Sequence, residues 1–338
     1  MPGGNQSQLN LPAITEISDC LAAGGIPLPG YSPGEPLIIS PLGRGESYQA
    51  YLIDLPDPLV LRLPYRDQSV MPRPMSAEFA ALELVPATIG SHGLAMSDHA
   101  DNPLGHPYIL TTFAPGATKS VDDWTEGDFA RLANQLALFH RGFSTRHGLV
   151  TQPLTGPISI LGEFEEAWSW WLSHHRDITG LPQPSGLFAA TSAFLRKREP
   201  QFAALRQFCL IHSDLIAPNV IFNGDDMRFI DWEWAEFGDP AKDLALIGGT
   251  VHGDHWYVPM TPTQVEDLVS HYAAGAQLPD DPAFSAEALL ARRDAWEVME
   301  RFTGGLHYLL KTSEDPESHY SDGAATVWGS LAERLRDA

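Results

Sequence analysis

Asp214, Asn219 and Asp231 are the side chains of this sequence whose types and spacing could do chemistry together. The first two lie in His212-Ser213-Asp214-Leu215-Ile216-Ala217-Pro218-Asn219, and the third in Ile230-Asp231-Trp232-Glu233. Magnesium takes hard oxygen ligands, usually one or two carboxylates beside substrate phosphates. Phosphoryl transfer needs that neutralisation of charge, and a positioned acceptor for the proton of the attacking hydroxyl. Asn219 and Asp231 suit the metal role, and Asp214 suits the acceptor role. Alone, Asp-x4-Asn reads equally well as a polar turn after a strand. His212 before the Asp, Pro218 before the Asn and the following Asp-Trp-Glu tilt the reading to chemistry.

These residues need elements to bring them together. Phe208-Cys209-Leu210-Ile211 has the composition of a buried strand running into Asp214. Val220-Ile221-Phe222 and Met227-Arg228-Phe229-Ile230 read as short strands. Asn223-Gly224-Asp225-Asp226 between them is turn chemistry, since Asn, Gly and Asp tolerate positive φ. A hairpin centred near Asp225 would set Val220 opposite Ile230 and Asn219 opposite Asp231.

His-x-Asp-x4-Asn followed by a hydrophobic-Asp pair resembles the catalytic and metal-binding motifs of the aminoglycoside phosphotransferase and choline kinase superfamily, small-molecule relatives of protein kinases. Gly238-Asp239-Pro240-Ala241-Lys242-Asp243-Leu244-Ala245 is similar to the family's Gly-Asp-Pro-x-x-Asp-Leu-Ala continuation. The resemblance implies an α+β, bilobal protein-kinase-like fold, its small lobe an antiparallel sheet with one main helix and its larger lobe mostly helical. It gives residues 1–36 as an N-terminal helix and connector, 37–113 as the nucleotide-binding lobe, and 114–338 as the catalytic and acceptor-binding lobe.

Upstream, Pro41-Leu42-Gly43-Arg44-Gly45-Glu46-Ser47-Tyr48 is similar to a kinase nucleotide loop, with Gly43, Gly45 and Ser47 as its contacts. Arg62 falls in the otherwise apolar Leu59–Pro64. A buried cation without a partner is costly, so an anion is expected beside it. In the family that strand cation touches the phosphates and pairs with a helix Glu, and Glu78 stands at the matching position; Glu83 reads as a solvated face. Arg here replaces the Lys of protein kinases, which bears on phosphate geometry. His106–Gly116 resembles the last small-lobe strand and hinge, where backbone groups of Thr111–Phe113 would meet the base. The co-substrate implied is ATP or GTP with Mg2+. Asp214 takes the hydroxyl's proton, His212 fixes the catalytic loop, Asn219 and Asp231 hold the metal, and Asp243 hydrogen-bonds the loop.

The implied activity is transfer of the γ-phosphate to a hydroxyl of a small molecule, cationic acceptors such as an aminoglycoside or amino-alcohol included. The alternative is a regulatory nucleotide-binding protein that keeps the fold without transfer. No Ala-Pro-Glu follows Asp231, which argues against a protein kinase.

Composition bounds the rest. The 338 residues are 43% hydrophobic and 19% charged, a globular balance with room for a large core. Two cysteines, Cys20 and Cys209, offer no disulfide framework, and no apolar run spans a bilayer, so a cytoplasmic protein is expected, as monomer or homodimer. A net charge of −22 argues against nucleic-acid or membrane partners. It would concentrate a cationic acceptor, and equally it confers solubility. Leu11–Ala23 has helical spacing ending at Gly24-Gly25. Asp122-Asp123-Trp124 opens a longer helix in which Phe129, Leu132, Leu136, Phe139 and Phe143 share a face, with His140 a core residue. His252-Gly253-Asp254-His255 lacks the Asn and hairpin that follow Asp214, and reads as a surface loop. Trp168 and Trp171 read first as core, with cation–π capture of an amine as the alternative; the helix around Arg293–Arg301 is a weak acceptor-site candidate.

Overall fold

Alternation puts Tyr51 and Ile53 on one buried face of a strand, with Tyr48 buried on the opposite face. In the computed structural model, which describes residues 9–71, 73–253 and 255–336, five antiparallel strands result. They are β1 (Ile38–Arg44), β2 (Tyr48–Asp54), β3 (Leu59–Pro64), β4 (Gly93–Ser97) and β5 (Tyr108–Thr112), in the order β1-β2-β3-β5-β4. Strand β3 is central and almost wholly buried, so its one cation, Arg62, enters an apolar layer, opposite Ala50 on one side and Ile109 on the other. Helix α1 (Ile14–Ala22) lays Ile17 and Leu21 against Tyr51, Ile53, Leu61 and Leu110, and the chain then turns at Gly24, whose φ is 76°. Helix α2 (Met75–Leu82) starts after Pro74 and buries Glu78, while Glu83 is exposed as expected.

This sheet, its two helices and a later segment make one compact unit, Met1–Pro115 with Arg228–Trp234. The reading from sequence kept everything after residue 114 in the larger lobe. Residues 228–234 group instead with the first unit. The Phe229 N–H donates to the Ile89 carbonyl at 2.8 Å, Trp232 is fully buried, and its indole N–H donates to the Phe229 carbonyl. Gly90 makes that approach possible, because a Cβ there would come within 3.0 Å of both the Phe229 oxygen and the Trp232 ring.

The second unit, Gly116–Met227 with Ala235–Ala338, is mostly helical. Its helices are α3 (Glu126–Phe139), α4 (Ile160–His174), α5 (Arg176–Thr179), α6 (Pro182–Ala204), α7 (Ala241–Leu246), α8 (Pro262–Gly275), α9 (Ala286–Glu314) and α10 (Tyr320–Arg336). Helix α3 opens later than the acidic pair suggests: Val121–Asp123 is a 3₁₀ turn, and Thr125 is the N-cap, exchanging hydrogen bonds with Asp128. The helix ends at Phe139, so Phe143 leaves its face and packs on Phe284. Helix α9 is the axis of the unit. It buries Arg292, Arg293 and Arg301, which meet Asp239 (Arg292), Glu297 (Arg293) and backbone carbonyls at the end of α7. Its candidacy as an acceptor wall around Arg293–Arg301 thus gives way to a scaffold role.

The hairpin after Asn219 forms with a tighter turn than expected. Strands Val220–Asn223 and Asp226–Phe229 pair across the two-residue turn Gly224-Asp225, with Gly224 at φ 59°. Ile230 and Asp231 lie beyond the second strand and Asn219 closes a 3₁₀ turn, so neither expected pair, Val220–Ile230 nor Asn219–Asp231, is a strand pairing. A two-residue turn moves the centre to between Gly224 and Asp225, and the pairing ends sooner. No helix among the described residues is long and apolar enough to cross a membrane.

Candidate active site

In the first unit, Arg62 meets the expected anion, Glu78, and a second one, Asp231. One guanidinium arm reaches Glu78 Oε1, the other donates to Asp231 Oδ1 at 3.0 Å, and the plane stacks over the Tyr48 ring at 4.3 Å. The Tyr48 hydroxyl completes the group by donating to Glu78 Oε2 at 3.0 Å. Burial would depress the guanidinium's pKa, but Glu78 and Asp231 outweigh it, so Arg62 stays charged. Asp231 holds a left-handed backbone, φ 66°, and its side chain is 38% exposed.

The loop between β1 and β2 lies in the same unit. Gly43 follows a register break in β1, the Gly45 N–H donates to the Tyr48 carbonyl, and the Tyr65 hydroxyl donates to the Gly45 carbonyl at 2.6 Å. Neither Gly43 nor Gly45 has a positive φ, and a Cβ at either would meet nothing within 4 Å. Ser47 is buried and hydrogen-bonds Glu233. Thr111 is buried in β5; the N–H groups of Thr112 and Phe113 are already given to the carbonyls of His92 and Pro58, so neither is left over for a base.

In the second unit, the loop carrying Asp214 leaves the strand Cys209–Ile211 and is held through its main chain. Asp243 accepts the N–H of His212 at 2.7 Å and that of Ser213 at 2.8 Å. His140, fully buried, fixes the same carboxylate through Nε2 at 3.1 Å, with Tyr272 on its other nitrogen. The Asp243 carboxyl is held below its usual range: burial raises it, and the hydrogen bond and charge of His140, with the His212 amide, more than offset that. His212 is fully buried, and its Nδ1 accepts the Asp214 N–H at 3.3 Å, a loop-fixing position. Ser213 takes φ 64° between them. The Asn219 amide nitrogen donates to the Asp214 carbonyl at 2.8 Å and to its carboxylate at 3.2 Å, which spends the NH₂ and turns the Oδ1 oxygen to other use.

A model of the phosphotransferase enzyme family matches residues 38–288, and the loops just described fall inside it. The chain belongs to this family. It is a phosphotransferase-family chain with the kinase-like mixed α and β fold that its sheet and helices display. Among solved structures it is similar to a choline/ethanolamine kinase family protein from Mesorhizobium loti, at 20% identity, TM-score 0.61 and 96% coverage of both chains. Choline kinase from Cryptosporidium parvum matches at 13% identity and TM-score 0.66, again over 96% of each chain. Aminoglycoside phosphotransferase APH(4)-Ia matches at 16% identity and TM-score 0.56, over 96% of this phosphotransferase and 99% of that chain. No curated protein matches it.

Two groups escaped the sequence reading. Glu233 stands two residues after Asp231, and burial with Asp231 and Glu78 pushes its carboxyl up to about 8, against the pull of Arg62 and Ser47. Nothing in Asp-Trp-Glu announces which of these side chains turns inward. The second group is Glu236 with Lys242 and Glu300: Lys242 Nζ stands 3.6 Å from Glu236 Oε1 and 3.3 Å from Glu300 Oε1. Their signal was a Lys inside the Gly-Asp-Pro-x-x-Asp motif, at a position buried in the helix. The tryptophans divide. Trp168 stacks on Phe188 and meets Phe302 edge-on, as core, while Trp170 is exposed and stacks on His174. His252 and His255 belong to no group of three metal-ligating side chains among the described residues; Asp254 lies outside them.

Proposed function

We propose that this phosphotransferase moves the γ-phosphate of ATP or GTP to a hydroxyl of a small molecule, cationic acceptors such as aminoglycosides or amino-alcohols included. Asp214 is the residue that orients the hydroxyl and takes its proton. The observation that carries the reading is the catalytic loop itself. Asp243 accepts two consecutive main-chain N–H groups, and the Asn219 amide donates to the Asp214 carboxylate, so the carboxylate is preorganised. His212 fixes the loop.

Asn219 Oδ1 and the Asp231 oxygen not bonded to Arg62 are hard donors of the kind magnesium takes, and the exposure of Asp231 leaves it accessible. Magnesium held by such donors would neutralise phosphate charge. Arg62, kept cationic by its carboxylates, would hold the nucleotide phosphates with Glu78 as its anchor. Gly43 and Gly45 support a nucleotide loop closed by Ser47. Neither backbone angle nor crowding within the chain demands glycine there, so the bare backbone is available to a ligand. Thr111 and Phe113 would line the base through groups other than the committed N–H donors. We place the protein in the cytoplasm as monomer or homodimer, with no nucleic-acid or membrane partner, on its cysteine usage and its net charge of −22.

The test is release of nucleoside diphosphate from magnesium-ATP or magnesium-GTP across aminoglycosides, amino-alcohols, sugars and macrolides, with Asp214→Ala as control. Release with one acceptor class that vanishes in the variant establishes the reaction. Acceptor-dependent release undiminished in Asp214→Ala refutes the role of that residue, and silence across the panel with nucleotide bound favours a regulatory nucleotide-binding protein.

A further inference from the structure

Ser213 holds a left-handed backbone, φ 64°, directly before Asp214. Glycine adopts that conformation at no steric cost, and serine does not. What serine adds is a hydroxyl, and here it donates to Glu236 Oε1 at 3.1 Å. Glu236 begins the strand Glu236–Gly238, in register with Ile211 on the strand that feeds the catalytic loop, so its side chain starts beside the loop's root. Lys242 stands against the same Glu236 oxygen, with Glu300 on its other side and the Trp296 ring 4.9 Å beneath its ammonium. Lys242 is 9% exposed, and its neighbour Asp243 takes the main-chain N–H groups of His212 and Ser213. Two consecutive residues of α7 therefore hold one loop by two routes. Asp243 holds the peptide planes directly, and Lys242 holds the carboxylate that restrains the Ser213 side chain. A hydroxyl bonded to a carboxylate that also faces an ammonium is the stronger kind of tie.

We propose that Glu236, clamped by Lys242, is a positioning residue for the reaction, acting through the Ser213 hydroxyl to set the direction of Asp214. The inference rests on the assignment of Asp214 as proton acceptor. The residue it adds, Glu236, lies outside the His212–Asn219 stretch that carries that assignment.

The test uses the full chain, with the nucleotide and acceptor that give the fastest diphosphate release in the panel above. It is paired with amide hydrogen exchange over residues 209–217, which needs no acceptor. Glu236→Ala and Ser213→Ala each lower kcat about tenfold with nucleotide KM within about twofold, and the double variant is no slower than either. Glu236→Gln keeps an acceptor oxygen and stays within about threefold of the parent. Ser213→Gly relieves the backbone, so it folds at least as well, yet it loses kcat as the alanine variants do. Parent-like kcat in Ser213→Gly or Glu236→Ala overturns the proposal, as does Glu236→Gln no better than Glu236→Ala. Exchange over 209–217 rises about threefold or more in Glu236→Ala, and unchanged exchange there overturns the clamp whether or not an acceptor is found. Undiminished turnover in Asp214→Ala would strike the assignment of the acid–base residue, leaving the exchange result to judge the clamp alone.

Discussion

A guanidinium buried with each arm on a different carboxylate is hard to replace. At Arg62 the arms go to Glu78 and Asp231, with Tyr48 beneath the plane. Glu78→Ala strands one arm, and chemical denaturation should show a loss of about 3–5 kcal/mol, as for a broken buried pair; a loss under about 1 kcal/mol would mean that Asp231 satisfies the cation alone. Asp214→Ala should act on rate rather than fold, lowering kcat about 10²–10⁴-fold while nucleotide affinity by calorimetry changes little. A cation in an apolar strand demands an anion, and the family resemblance pointed to Glu78 as that anion. The second partner of Arg62 was less legible: Asp231 had been assigned wholly to metal, and no local pattern tells that a residue so distant in sequence returns to β3. Glu233 was invisible for a related reason, since inward direction after Asp231 depends on a left-handed backbone that the letters Asp-Trp-Glu do not declare.

Among the elements, α9 carries much of the order of the second unit. Arg292 gives Nε to Asp239 at 2.8 Å, with the Trp296 indole on the same carboxylate at 3.1 Å. Arg292→Ala would leave Asp239 buried with its charge uncompensated, and should lower the free energy of unfolding by about 3–5 kcal/mol. The same variant at an exposed arginine, such as Arg336, should change it by less than about 0.5 kcal/mol in the same urea titration. Strands β2 and β3 and helix α1 were readable from alternation, from apolar spacing and from Gly24, since those signals are local, while α2 came from the family resemblance. The hairpin register was not, because Asn223-Gly224-Asp225-Asp226 offers turn residues at four places and only the tighter choice leaves Asn219 and Asp231 out of the ladder. The burial of the α9 arginines was not legible, because their partners, Asp239 and the end of α7, are distant in sequence.

For the whole molecule, the acidic balance has a consequence in pH. Burial pushes the Glu163 carboxyl up to about 7, with Lys242 opposing and Glu236, Glu300 and Asp239 adding to the shift. The folded state therefore keeps this proton while an unfolded chain releases it near 4.5. Stability contributed at this site is whole below 4.5 and falls as pH rises towards about 7. Urea titrations across that window should show a shallower decline in Glu163→Gln than in the parent, and equal slopes would mean that the group titrates normally. Comparing the two proteins cancels Glu233, which shifts in the same direction. Composition and charge foretold a large globular chain, but not this inward placement of carboxyl groups, since counting charges says nothing of where they point.

The return of residues 228–234 to the first unit also sets a clock on biosynthesis. A ribosome delivers the sheet strands and α2 early, yet the Asp231 arm of Arg62 and the Trp232 ring that packs on Gly90 come only after a long stretch belonging to the other unit. At cellular elongation rates that is a wait on the order of ten seconds, during which the nascent amino-terminal segment has its guanidinium half-paired and a flank of its sheet uncovered. A chain stopped at residue 115 should therefore be protease-sensitive, and one extended to residue 234 and beyond should acquire protection in that same segment, an order of events that pulse-chase proteolysis of stalled chains would reveal.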